Sequence, residues 1–166
     1  MKEKGKTMKI TINYKKVVIW GIVVIILQMF VGNLLYQNPI VSGIYEQYKG
    51  HPSTKSMDYF GGLGNWLLLT MLFSIFLEIV FIILYLLLYK SIPGTGWKRG
   101  LSFGLMIGFI KAVPEAFNQW MLFVYPTILI QVQLINTLLS LVIFGILLAV
   151  IFGRFKVIEK GDEKND

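Results

Sequence analysis

The chain has 166 residues, 55% of them hydrophobic and only 15% charged, with a formal net charge of +7. Soluble domains carry about a quarter charged residues, so a small water-soluble domain and a disordered chain are both excluded. With no cysteine and one histidine, disulfide scaffolds, thiol chemistry and imidazole-rich metal sites are excluded as well, and neither a metal nor a cofactor is expected.

Residues 1–16 form a basic tail carrying Lys2, Lys4, Lys6, Lys9, Lys15 and Lys16. An apolar run over about residues 17–36 follows, and crossing roughly 30 Å of hydrocarbon takes about 20 helical residues. A lysine-rich start before an apolar run also suits a secretory signal. Here the run is longer than a signal core, and Leu34-Leu35-Tyr36 lacks a small-x-small cleavage pattern, with Val41-Ser42-Gly43 only a faint candidate. A retained helix is expected.

The segment 37–65 is broken by Pro39, Gly43, Gly50, Pro52, Gly61, Gly62 and Gly64, so it reads as turns around one short interfacial helix near residues 40–48. Glu46, His51 and Asp58 match no metal-ligand spacing, and Gly61-Gly62-Leu63-Gly64 lacks the lysine and strand of a phosphate loop. A second span covers about 66–89. The breaker-rich turn Ser91 to Gly96 then forces an antiparallel hairpin with a third span over about 100–124. The Tyr125-Pro126 turn leads to a fourth span over about 127–153, and 155–166 is a charged tail expected to fray. These runs are continuous and lack the alternation of a β-barrel. The fold class is all-α, an integral membrane bundle of four transmembrane helices occupying residues 17–154.

Basic residues set the orientation. The six tail lysines, Lys90, Lys98 and Arg99, and Arg154, Lys156, Lys160 and Lys164 all fall on one side. Lys49 and Lys55 alone fall on the other. By the positive-inside rule both termini are cytoplasmic, and the chain is a multi-pass protein of the cell membrane. These lysines sit in short tails without a folded basic surface, so nucleic acid is not an expected partner; the lipid bilayer is. Tyr14, Trp20, Tyr36, Trp66, Tyr89, Trp97, Trp120 and Tyr125 fall near the interfaces as aromatic belts.

Depth counting locates candidate site residues. Gln28 is twelve residues from Lys16, Glu78 twelve from Lys90 and Lys111 twelve from Arg99, so all three lie about 18 Å in, near mid-membrane. Residues 78 and 111 are also equidistant from the hairpin turn, which predicts an intramembrane Glu78–Lys111 ion pair. Glu115, Asn33, Asn118 and Asn136 lie further out, and Ser74, Gln133, Thr137 and Ser140 add polar atoms at neighbouring levels. The inner half carries little polarity beyond Tyr85 and Ser102. An outward-facing polar pocket is expected, floored by the ion pair and made by Glu78, Lys111, Glu115, Gln28, Asn33, Asn118 and Asn136. Pro114 removes an N–H and is the expected kink or hinge. Gly100, Gly104 and Gly108 form a small-xxx-small stripe for helix packing, within the bundle or in a homo-oligomer.

Ionisable residues within a span are functional-site candidates. The expected role is binding or translocation of a small solute or ion. The alternative is a structural or regulatory subunit in which the charges only clamp the helices. No catalytic residue is expected: every aspartate lies outside the spans, a glycosidase needs two carboxyls flanking one site, and no serine has a histidine base within a nucleophile elbow.

The stretches Ile92-Pro93-Gly94, Trp97-Lys98-Arg99-Gly100-Leu101, Phe103-Gly104, Lys111-Ala112-Val113-Pro114 and Gly61-Gly62-Leu63-Gly64-Asn65-Trp66 resemble a group of small, uncharacterised four-span membrane proteins from prokaryotes. The resemblance extends over nearly the whole chain. It implies the four-span topology and no particular activity.

Overall fold

The computed structural model of the protein describes residues 9–53 and 55–161. Lys2, Lys4, Lys6 and Lys164 lie outside the described residues. In chain order come strand β1 (Lys9–Ile12), helices α1 (Tyr14–Tyr36) and α2 (Pro39–Gln47), a 3-10 turn at Met57–Phe60, helices α3 (Leu63–Leu88), α4 (Trp97–Leu122) and α5 (Thr127–Arg154), and strand β2 (Ile158–Gly161). Helices α1, α3, α4 and α5 have 23, 26, 26 and 28 residues. At 1.5 Å per residue each reaches about 35–42 Å. All four are long and apolar enough to cross a membrane.

Local chemistry sets the boundaries. Asn13 caps α1 by accepting from the Lys16 N–H at 3.2 Å, and Asn38 caps α2 by accepting from the Val41 N–H at 3.0 Å, with Pro39 in the first turn. Helix α2 occupies the place expected for a short interfacial helix. Gly94 and Gly96, at φ of 92° and 55°, shape the turn before α4, a region of backbone space that disfavours side chains. Helix α4 continues unbroken through Pro114, which is exposed on its surface.

The C-terminal tail does not fray directly after α5, as its charge had suggested. Residues 158–161 pair antiparallel with residues 9–12, from Ile12 opposite Ile158 to Lys9 opposite Gly161. Burial holds this cap: Val157 is fully enclosed, and the Phe155 ring stacks on Trp20 with centroids 3.4 Å apart. Lys16 Nζ donates to the Lys156 carbonyl at 3.2 Å and lies 3.8 Å from Glu159. Strands β1 and β2 therefore sit together at one end of the bundle, beside the α3–α4 turn.

The core sits in that same half. Tyr85 packs edge-on against Phe103 and Phe152, with centroids 5.1 and 6.3 Å away, and Phe81 lies 6.2 Å from Phe144. Val24, Phe144 and Leu148 are fully buried around them. Helices α4 and α5 are the closest pair, because Gly100 and Gly104 of α4 face Gly145 of α5 backbone to backbone. A Cβ on Gly104 would stand 2.5 Å from the Leu141 carbonyl oxygen and 2.7 Å from the Val142 Cα.

Helix α3 is held differently. It enters the core through Ile82 and Tyr85 near its C-terminus, while residues 63–74 are exposed apart from Trp66. Phe73, Phe76, Ile83 and Leu87 of α3 and Ile110, Phe117 and Leu122 of α4 all point outward. So large an apolar surface marks a face that meets hydrocarbon or another apolar surface.

Candidate functional site

Because α4 turns its glycine stripe to α5, the N-terminal half of α3 finds no close helical neighbour. A cavity of about 180 Å³ opens between it and the other spans, and all four contribute polar groups: Gln28 and Tyr36 from α1, Ser74 and Glu78 from α3, Lys111 from α4, Thr137 and Ser140 from α5. Leu77, Phe81, Leu141 and Phe144 supply the apolar part of the wall. The Phe81–Phe144 contact joins this wall to the aromatic core. Polar atoms thus gather beyond the aromatic core, whose own half holds a smaller space of about 60 Å³ lined by Tyr85, Tyr89, Arg99 and Phe152.

Hydrogen bonds fix the wall on the α1–α5 side. Gln28 Nε2 donates to Ser140 Oγ at 2.6 Å and to the Ser140 carbonyl at 3.0 Å. Tyr36 Oη and Thr137 Oγ1 are 3.3 Å apart, and Asn136 Nδ2 donates to the Leu35 carbonyl at 3.2 Å. Each replaces a contact that lipid cannot offer, and interhelical hydrogen bonds in membranes are worth about 0.6–2 kcal/mol. Gln28 is only 5% exposed, yet its Oε1 has no partner.

The charges are arranged differently from the expected ion pair. Lys111 Nζ lies 3.5 Å from Glu115 Oε2, one turn along its own helix, with the two side chains 34% and 45% exposed. Among the described residues Glu78 makes no ion pair, and its buried Oε2 has no hydrogen-bond partner. Equal depth places residues 78 and 111 on the same cavity, but with α4 packed on α5 the lysine finds its counter-charge at i+4 instead of across the gap.

The other expected site residues separate. Glu115 faces a narrow cleft with Gln119, Gln133 and Thr137, and Gln133 Oε1 is buried there without a partner. Asn33 donates to the Met29 carbonyl at 3.1 Å, accepts from Gln37 at 2.9 Å, and borders an open groove with Phe30 and Asn38. Asn136, 6% exposed, is spent on joining α5 to α1. Asn118 is exposed on α4 and lines none of these spaces. The cavity therefore gathers Gln28, Glu78 and Lys111, and it adds Tyr36, Phe81 and Phe144. Tyr36 reads from sequence as a belt residue, and only its reach to Thr137 reveals otherwise.

Outside the spans, burial between α2 and the ends of α1 and α5 pushes the Tyr45 phenol up to about 12, with Tyr36 and Tyr125 adding to the shift. Burial raises Tyr125 as well. Among the described residues no group of three His, Cys, Asp or Glu could hold a metal ion.

The chain matches no protein-family profile, and neither a curated protein nor a solved structure is detectably similar to it. Its function must be read from this geometry.

Proposed function

We propose that the protein is a multi-pass protein of the cell membrane, with both termini cytoplasmic, that takes a small solute or ion into the cavity between α3 and the other spans. The orientation follows from the basic residues, which cluster at the end where β1, β2 and the α3–α4 turn meet. On that orientation the aromatic core faces the cytoplasm and the polar cavity faces outward.

One observation carries the reading. All four spans bring polar side chains to one space at mid-membrane, and one of them, Glu78, is an acid with no hydrogen-bond or ion-pair partner among the described residues. An unpaired ionisable group inside a bilayer is costly and is retained where it has a task. Lys111, paired with Glu115 at 3.5 Å, borders the same space. Translocation would require the Phe81–Phe144 layer to part, so binding from outside is the minimal function. The protein acts through binding, with no catalytic group assigned.

The reading as a structural or regulatory subunit rests on the interhelical bonds of Gln28 and Asn136. It gains nothing from the charges. An ion pair within one helix ties no two helices together, and Glu78 ties none.

The chain has no native cysteine, so Ser74→Cys in proteoliposomes is a clean probe. It should react with a membrane-impermeant maleimide added from the outer side. No reaction from that side would refute an outward-open cavity.

A further inference from the structure

The atoms around the cavity specify the class of ligand, an inference that rests on the solute-binding reading above. Among its lining residues Glu78 is the only acid and Lys111 the only base. Lys111 is already paired with Glu115 at 3.5 Å, so the unmatched group is the Glu78 carboxyl, and a cation is what would pair with it.

Hydrogen-bond capacity points the same way. Gln28 Nε2 is spent on Ser140, and the Tyr36 and Thr137 hydroxyls face one another. The two buried orphan atoms in the wall, Glu78 Oε2 and Gln28 Oε1, are both acceptors. Gln28 is 95% buried and borders the cavity, so a donor for this orphan would come from whatever enters that space. Buried acceptors without donors are costly, and a ligand that brings donors removes the cost.

Volume and wall chemistry narrow the class further. A dry cavity of about 150 Å³ admits benzene, and this one measures about 180 Å³. A bare divalent ion wants six or more oxygen ligands and would leave most of the space empty. Phe81 and Phe144 offer ring faces and edges to carbon atoms and to a cation. We infer that the cavity takes a small protonated amine with a short apolar body, its ammonium donating to Glu78 and Gln28 and its carbons resting against Phe81 and Phe144.

The test uses the full chain in nanodiscs and three probes of one size: butylammonium, butyrate and 1-butanol. Heats of binding are measured against nanodiscs without protein. Butylammonium should bind saturably and the other two should not. Glu78→Gln should weaken butylammonium at least tenfold. Leu77→Trp, which fills the space and keeps every charge, should abolish binding, so the test survives if Glu78→Gln fails to fold. Butyrate binding that Lys111→Met removes would overturn the amine and leave the solute cavity standing. Saturable 1-butanol binding equal to that of butylammonium would do the same. Butylammonium binding unchanged in both variants, or no probe binding at all, overturns the inference. The solute-binding reading itself falls separately, on an unreactive Ser74→Cys.

Discussion

Lys111 and Glu115 pair along one helix, Nζ to Oε2 at 3.5 Å, and that choice of partner shapes the interior of the bundle. It gives the lysine a counter-charge without joining two helices. Across the cavity it leaves Glu78 unmatched.

This arrangement predicts weak coupling between Glu78 and Lys111. In a double-mutant cycle of Glu78→Gln and Lys111→Met, read by unfolding in detergent, the interaction energy should be smaller than that of Lys111 with Glu115, because only the latter two are in contact. Lys111→Met with Glu115→Gln should show the larger coupling, because the two headgroups lie 3.5 Å apart. Coupling above about 1 kcal/mol between Glu78 and Lys111 would restore the cross-helix pair.

The α4–α5 contact should tolerate no added atoms. Gly104→Ala puts a methyl 2.5 Å from the Leu141 carbonyl oxygen, where backbone on both sides prevents relief. Overpacking of this kind costs about 1–3 kcal/mol. Gly32→Ala, where a Cβ would meet nothing within 4 Å, should be close to neutral. Unfolding midpoints of the two variants check this, and equal effects would contradict the packing.

Tyr45 supplies a pH signature at the outer end. Its phenol is raised to about 12 by burial first and by Tyr36 and Tyr125 second, against about 10 in an unfolded chain. The packing of α2 is therefore unaffected below about pH 10 and loses stability as pH climbs from there through about 12, because the unfolded state sheds the proton first. Absorbance titration at 295 nm, with Tyr45→Phe as the reference, should show one late-ionising tyrosine missing in the variant. A difference curve with its midpoint near 10 would place Tyr45 in open solvent.

Much of this fold is legible in the sequence, for a simple reason. Four continuous apolar runs separated by Gly- and Pro-rich turns leave one way to satisfy the backbone in lipid, and the helices begin and end within about three residues of those runs. Depth is equally legible, since rise per residue is constant; hence Gln28, Glu78 and Lys111 reach one cavity. Rotation about each helix axis is another matter. Whether Lys111 turns to Glu78 or to Glu115 depends on which neighbour receives the α4 glycines, and Gly145 of α5, which receives Gly100 and Gly104, forms no conspicuous motif by itself. The Gly145–Ala149 spacing is the signal that would have pointed there. The β1–β2 pairing is hidden for a different reason: two four-residue strands nearly 150 positions apart leave no local periodicity to read.

The boundary at Phe144 between the polar cavity and the aromatic core is the claim on which the functional account depends, and a depth series along α5 tests it directly. Thr137→Cys, Ser140→Cys, Leu148→Cys and Phe152→Cys are introduced singly, reconstituted, and exposed to an impermeant thiol reagent from the outer side. Thr137 and Ser140 line the cavity, whereas Leu148 and Phe152 lie in the core beyond Phe144. The account predicts labelling at the first two positions and none at the last two. Uniform protection of all four, or labelling that continues past Phe144, would contradict it.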